Sequence, residues 1–190
     1  MPRMMRMLVL ALCMLAALYL YLSSNSGSPL GVALDRPPSK GALDLDPESS
    51  RTRIGPLEHS DERLMMRQRR AVDELARRYV GTPITGGQLD DLRILQELLD
   101  QRVLQPDQTS ELQALGVALG DVMAAQLGFS WAIVEDALGR SRALRLGESD
   151  DLVFPVTMIS KRVEKDVRFT VNELYAKAQA IAERRGAASY

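Results

Sequence analysis

Cysteine occurs once in the 190 residues, and so does histidine. One cysteine excludes an intramolecular disulfide and any two-cysteine redox motif, and one histidine beside it cannot assemble the usual zinc ligand sets. A Ser-His-Asp or Cys-His engine would have to run through His59 alone, and His59 reads as a solvated residue at the edge of a linker. An excess of charge of either sign is missing too, since Lys+Arg number 24 against Asp+Glu 25. Without a net basic field, nucleic-acid binding is not expected. The stretch GTPITGG, residues 81–87, lacks the Gly-Lys-Ser/Thr ending of a phosphate-cradling loop. No catalytic residue, metal site or cofactor is expected on these grounds.

The clearest positive signal is at the N-terminus, where Arg3 and Arg6 precede an uncharged apolar run of 16 residues from Met7 to Leu22. A hydrocarbon core roughly 30 Å thick needs about 17 to 25 helical residues, so this run spans it if Met4, Met5 and Ser23 extend the helix. Tyr19 and Tyr21 near its exit favour a headgroup interface and an uncleaved anchor. The small residues Ser23 to Ser28 keep a cleaved signal peptide as the alternative. Cys13, preceded by Leu12 and followed by more apolar sequence, reads as a small apolar side chain in a membrane helix rather than an acylated lipoprotein cysteine. By the positive-inside rule Arg3 and Arg6 stay cytoplasmic, which sends the remainder across the membrane, into the periplasm if that membrane is a bacterial inner one, or out of the cell after cleavage.

Residues 1–28 are thus read as anchor or signal, and the Ser-, Gly- and Pro-rich residues 29–59 as a flexible spacer. Residues 60–186 are read as one α+β domain of helices packed on a small three-stranded antiparallel sheet. Its first helix follows Ser60, with Leu64, Ala71, Leu75 and Tyr79 at helical spacing and Gly81 and Pro83 ending it. Arg63, Arg67, Arg70 and Arg77 on another stripe read as a solvated face. The second helix, with Leu89, Leu92, Leu95 or Gln96, and Leu99 inward, lies between Gly86-Gly87 and Pro106. The third opens with Ser110 and Gln113 in capping-box spacing, is apolar over most of its circumference and stops at Gly128, which marks it as central. Glycine inside a helix costs about 1 kcal/mol relative to alanine, so Gly116 and Gly120 imply close approach of another backbone. After Gly128 the period shortens. Trp131 and Ile133, Leu144 and Leu146, and Leu152 to Phe154 mark three strands, and Pro155 ends the last and opens a helix carrying Val156, Ile159 and Val163. Thr170 and Glu173 form a capping box for the closing helix.

Lys161 and Arg162 on the short helix after Pro155 read either as cations complementing its dipole or as an anion site beside the hairpin arginines Arg140, Arg142 and Arg145. The paired-glycine helix, the Trp131 strand, Phe154-Pro155 and Lys161-Arg162, in that order, resemble a bacterial domain-of-unknown-function family, number 3806, over about Leu104 to Ala180. The resemblance implies a domain boundary and a local unit of Trp131, Phe154, Lys161 and Arg162; it implies no activity. Glu135-Asp136 and Asp150-Asp151 are the acidic pairs near the sheet, and a small hydrolase built on them is the alternative function. The expected function is a membrane-tethered interaction module whose partner is a protein or anionic envelope component. Its binding residues would be Lys161, Arg162, Arg142 and Arg145, with Trp131, Phe154, Pro155, Gly116 and Gly120 structural.

Overall fold

The computed structural model describes residues 52–188, so the segment 1–28 and most of the spacer lie outside the described residues. Along the chain come β1 (Arg53–Gly55), α1 (His59–Tyr79), α2 (Asp90–Asp100), α3 (Thr109–Leu127), β2 (Phe129–Asp136), β3 (Gly139–Leu146) and β4 (Leu152–Val153). A single 3-10 turn (Pro155–Thr157), α4 (Ser160–Glu164) and α5 (Val171–Ala188) complete the α+β arrangement. Among the described residues no helix is long and apolar enough to cross a membrane.

The sheet is antiparallel with strand order β1-β2-β3-β4, so it has four strands where three are expected. The additional one, β1, falls inside the stretch read as spacer and pairs Ile54 with Val134 and Gly55 with Ile133. Three residues are too few to show a period-2 pattern, so only its pairing with β2 identifies it. Strand alternation sends Phe129, Leu144 and Val153 to the helical side, where they join Leu115, Leu119 and Met123 of α3 in one core.

Helix α3 is buried nearly all round and meets α1, α2, α4, α5, the 3-10 turn and β2. It ends at Gly128 in the left-handed conformation, φ 76°. The Ser110-Gln113 capping box is not formed: the helix starts two residues earlier, with Gln108 in the N-cap position, and the Gln108 side chain accepts from the Gln105 N–H at 2.8 Å. Thr170 and Glu173 do cap α5 reciprocally, at 3.0 and 3.2 Å.

Helix α1 is turned relative to the expected face. Asp61, Met65, Val72 and Ala76 are buried, while Leu64 and Tyr79 are exposed. The rotation follows from two polar contacts with β3: Asp61 accepts from both terminal nitrogens of Arg140 at 2.8 and 2.6 Å, and Gln68 accepts from Arg142 at 2.7 Å. Arg140 holds the Asp61 carboxyl below the usual carboxylate range, outweighing the opposing effect of burial. A folded-state value below the unfolded one means that the contribution is complete above about pH 4 and fades as pH falls through the folded value. The difference in melting temperature between the protein and Asp61→Asn is therefore expected to be largest at neutral pH and to shrink on acidification below about pH 4. Thermal melts of both from pH 7 to pH 2 check this; a difference constant across the range counts against the ion pair.

Between α1 and α2 the chain wraps a carboxylate. Asp91, 1 % exposed, accepts from the N–H groups of Thr85, Gly86, Gly87 and Gln88 and from the Thr85 hydroxyl, at 2.8 to 3.2 Å. Gly86 and Gly87, at φ 83° and 129°, let successive N–H groups converge on it. Gly87 also lies close to Ala125 of α3 and accepts from Gln126 through its carbonyl, at 2.8 Å.

Candidate functional site

Pro155 fixes the geometry around Lys161 and Arg162. Its ring cannot donate to a ladder, so β4 ends and the chain turns into the 3-10 segment rather than directly into the expected α-helix. The turn is pressed onto α3: a Cβ at Gly116 would stand 2.5 Å from the carbonyl oxygens of both Pro155 and Val156. At Gly120 the nearest neighbours are the Trp131 ring and the Pro155 ring. Trp131 is held there by its indole N–H, which donates to Asp121 at 3.0 Å, and Asp121 accepts twice more from Arg69 at 2.7 Å. The two glycines thus seat Trp131 and Pro155 on one helix face.

From this seat the chain delivers Phe154 outward, beside α4. Leu152, Val153, Phe154, Met158, Ala178 and Ile181 form the apolar lining of a groove of about 300 Å³ between β4, α4 and α5, which Lys161, Arg162 and Lys177 also line. Phe154 is 38 % exposed within it. Lys161 and Lys177 form no ion pair among the described residues. Arg162 is more constrained: it donates to the Met158 carbonyl at 2.6 Å, and its guanidinium stands 6.0 Å from the centre of the Phe169 ring, at the reach of a cation–π contact.

The structure brings together Phe154, Lys161 and Arg162, but not the hairpin arginines. Arg142 and Arg145 are three apart on β3, and odd spacing on a strand sends them to opposite faces. Arg140 and Arg142 turn to α1. Arg142 is half-buried with Gln68 as acceptor, and burial pulls its guanidinium below the ordinary value. Arg145 closes the β3–β4 turn, donating to the Ser149 and Glu148 carbonyls at 2.7 Å and to the Glu148 carboxylate at 2.8 Å. Trp131 lies on the α3 side of Pro155, apart from the groove. Lys177 was not singled out from sequence, although its position one turn before Ile181, exposed beside the inward-facing stripe of α5, is the signal that could have found it.

Three of the four acidic residues in the two pairs have structural partners. Glu135 accepts from Arg53 at 2.6 Å, Asp136 accepts from the Leu138 N–H at 2.8 Å within the hairpin turn, and Asp151 is paired with Arg185. That guanidinium holds the Asp151 carboxyl below its usual range. His59 sits in the first turn of α1 and faces Glu62 at 3.1 Å. Among the described residues no three His, Cys, Asp or Glu side chains are placed to hold a metal ion. What the groove offers chemically is apolar contact combined with positive charge.

No curated protein matches this chain. A solved structure from Bacteroides thetaiotaomicron VPI-5482 superimposes with a TM-score of 0.63 at 16 % identity, over 70 % of this chain and 49 % of that one. This chain therefore corresponds to about half the length of that protein, and the likeness is one of fold. Residues 91–175 match the family model described as a domain of unknown function, DUF3806, a span that takes in α2, α3, β2 to β4, α4 and the first turn of α5. Phe154, Lys161 and Arg162 fall within the matched span, and the match is to the same family that the motif order resembles.

Proposed function

We propose that the protein is a docking module of the bacterial envelope, tethered to the inner membrane by residues 1–28, whose groove between β4, α4 and α5 takes an acidic, partly apolar segment of a partner protein. The observation that carries this reading is the pairing of an apolar floor with Lys161 and Lys177, which have no carboxylate of their own among the described residues. An extended segment alternating apolar and acidic residues would lay one set of side chains along Phe154, Met158 and Ile181 and turn the other toward the cations. The apolar N-terminus and the spacer support the tether. Confinement near the membrane raises the effective concentration of a domain for a partner in the same compartment.

The test uses the full chain in neutral nanodiscs, titrated with a labelled peptide of alternating Leu and Asp and with its Leu-Lys counterpart. Binding of the acidic peptide alone is expected, weakening with salt and falling about tenfold in the double variant Lys161→Glu, Lys177→Glu. If neither peptide binds, or the double variant binds as well as the parent, the docking reading is wrong.

A further inference from the structure

On the other side of α4 lies a second depression, a cleft of about 390 Å³ between the end of α2, the approach to α3 and the segment that follows α4. We infer that this cleft is a small-molecule site for a carboxylate carried on an apolar body, of the fatty-acid kind. Its volume is in the range of ligand pockets, about 300 to 1,000 Å³. Leu99, Leu104, Leu115 and Phe169 supply apolar lining, and Arg102, Arg162 and Arg168 supply positive charge. Neither Arg102 nor Arg168 forms an ion pair among the described residues.

Charge balance selects the head group. Three guanidinium groups line the cleft, against two carboxylates, Asp100 and Asp166, an excess of one positive charge. That excess complements a single negative charge, whereas a phosphate dianion would be left over-charged against the two carboxylates. The planar guanidinium fork also matches carboxylate geometry.

The backbone adds an independent observation. Among the described residues the non-glycine residues at positive φ are Arg102, at 51°, and Asp166, at 50°, and both line this cleft. Each closes a helix end: the Val103 N–H reaches the Leu98 carbonyl at 3.3 Å, and the Val167 N–H reaches the Arg162 carbonyl at 2.9 Å. Glycine is the usual occupant of that position because it adopts the left-handed conformation without steric cost. Glycine at 102 would relieve the strain and remove the cation. Strained residues gathered at one cleft point to a use for their side chains. Every residue lining the cleft lies between Gln96 and Phe169, inside the matched family span, whereas the docking groove extends beyond it to Ile181.

The test is saturation-transfer NMR on the full chain in neutral nanodiscs, with octanoate, octylammonium and acetyl-Leu-Leu as probes. Octanoate is expected to bind and octylammonium not, with octanoate affinity falling about fivefold or more in Arg168→Gln and in Arg102→Gly. Arg102→Gly serves as the second variant because it should fold at least as well as the parent. The pair Lys161→Glu, Lys177→Glu should leave octanoate binding unchanged, which separates this site from the docking groove. Equal binding of octylammonium, or full octanoate affinity in both arginine variants, overturns the inference. Binding of acetyl-Leu-Leu without octanoate would also overturn it, assigning the cleft to peptide C-termini.

Discussion

Gly116→Ala is expected to destabilise the domain by about 2 kcal/mol or more, against the ordinary benefit of alanine in a helix. Propensity alone would stabilise α3 by about 1 kcal/mol. The added methyl, however, would stand 2.5 Å from two carbonyl oxygens, those of Pro155 and Val156. Both are backbone atoms of a turn fixed by proline, so no side chain can swing away. Overpacking of this kind costs about 3 kcal/mol, the upper part of its usual range, and exceeds the propensity gain. Chemical denaturation should show a lower midpoint, and Gly116→Val should be worse. A neutral or stabilised Gly116→Ala would mean that the turn is not seated on α3 as described. The consequence would reach the docking groove, because the same turn delivers Phe154 to it.

Asp91→Ala is expected to cost about 3 to 4 kcal/mol, comparable to breaking a buried charged network. The substitution strands the four N–H groups and the hydroxyl that now converge on one carboxylate. Hydrogen bonds to a charged acceptor are worth about 1.5 to 3 kcal/mol each, but they do not add, because the released loop opens to water. Asp91→Asn should rescue little. Oδ1 accepts from both Thr85 donors and Oδ2 from the Gly86, Gly87 and Gln88 amides, so an amide group at either position faces donors. Urea unfolding of the two variants against the parent measures the effect. A loss below about 1 kcal/mol in both would show that the wrapped carboxylate contributes little.

The central helix, the shift to strand period after Gly128 and the capping box at Thr170 were legible because each is a local pattern. The face of α1 was not. Its buried side includes Asp61 and Gln68, residues that a hydropathy period assigns to solvent, and their partners Arg140 and Arg142 stand 79 and 74 positions away. Polar burial set by so distant a partner has no local signature. The grouping of Arg142 and Arg145 is a different case, since strand alternation alone argues against it once β3 is recognised. Of the candidate site, Phe154, Lys161 and Arg162 were readable as neighbours along the chain, while Lys177 and Ile181 arrive from a separate helix. The Asp91 wrap had a visible trace in Gly86-Gly87, read only as a boundary although the paired glycines also aim amides at a carboxylate.

The pairing of β1 with β2 has a consequence for the association state of the domain. Three residues, Arg53 to Gly55, cover the outer ladder of β2 at Ile133, Val134 and Glu135. A chain begun at His59 would keep every helix yet leave those amides and carbonyls unpaired along an apolar stretch, and a bare strand of that kind is a template for another molecule. The short segment ahead of α1 therefore covers an edge that a second molecule could otherwise pair with, and a chain cut at His59 is expected to self-associate more than one that keeps Arg53 to Gly55.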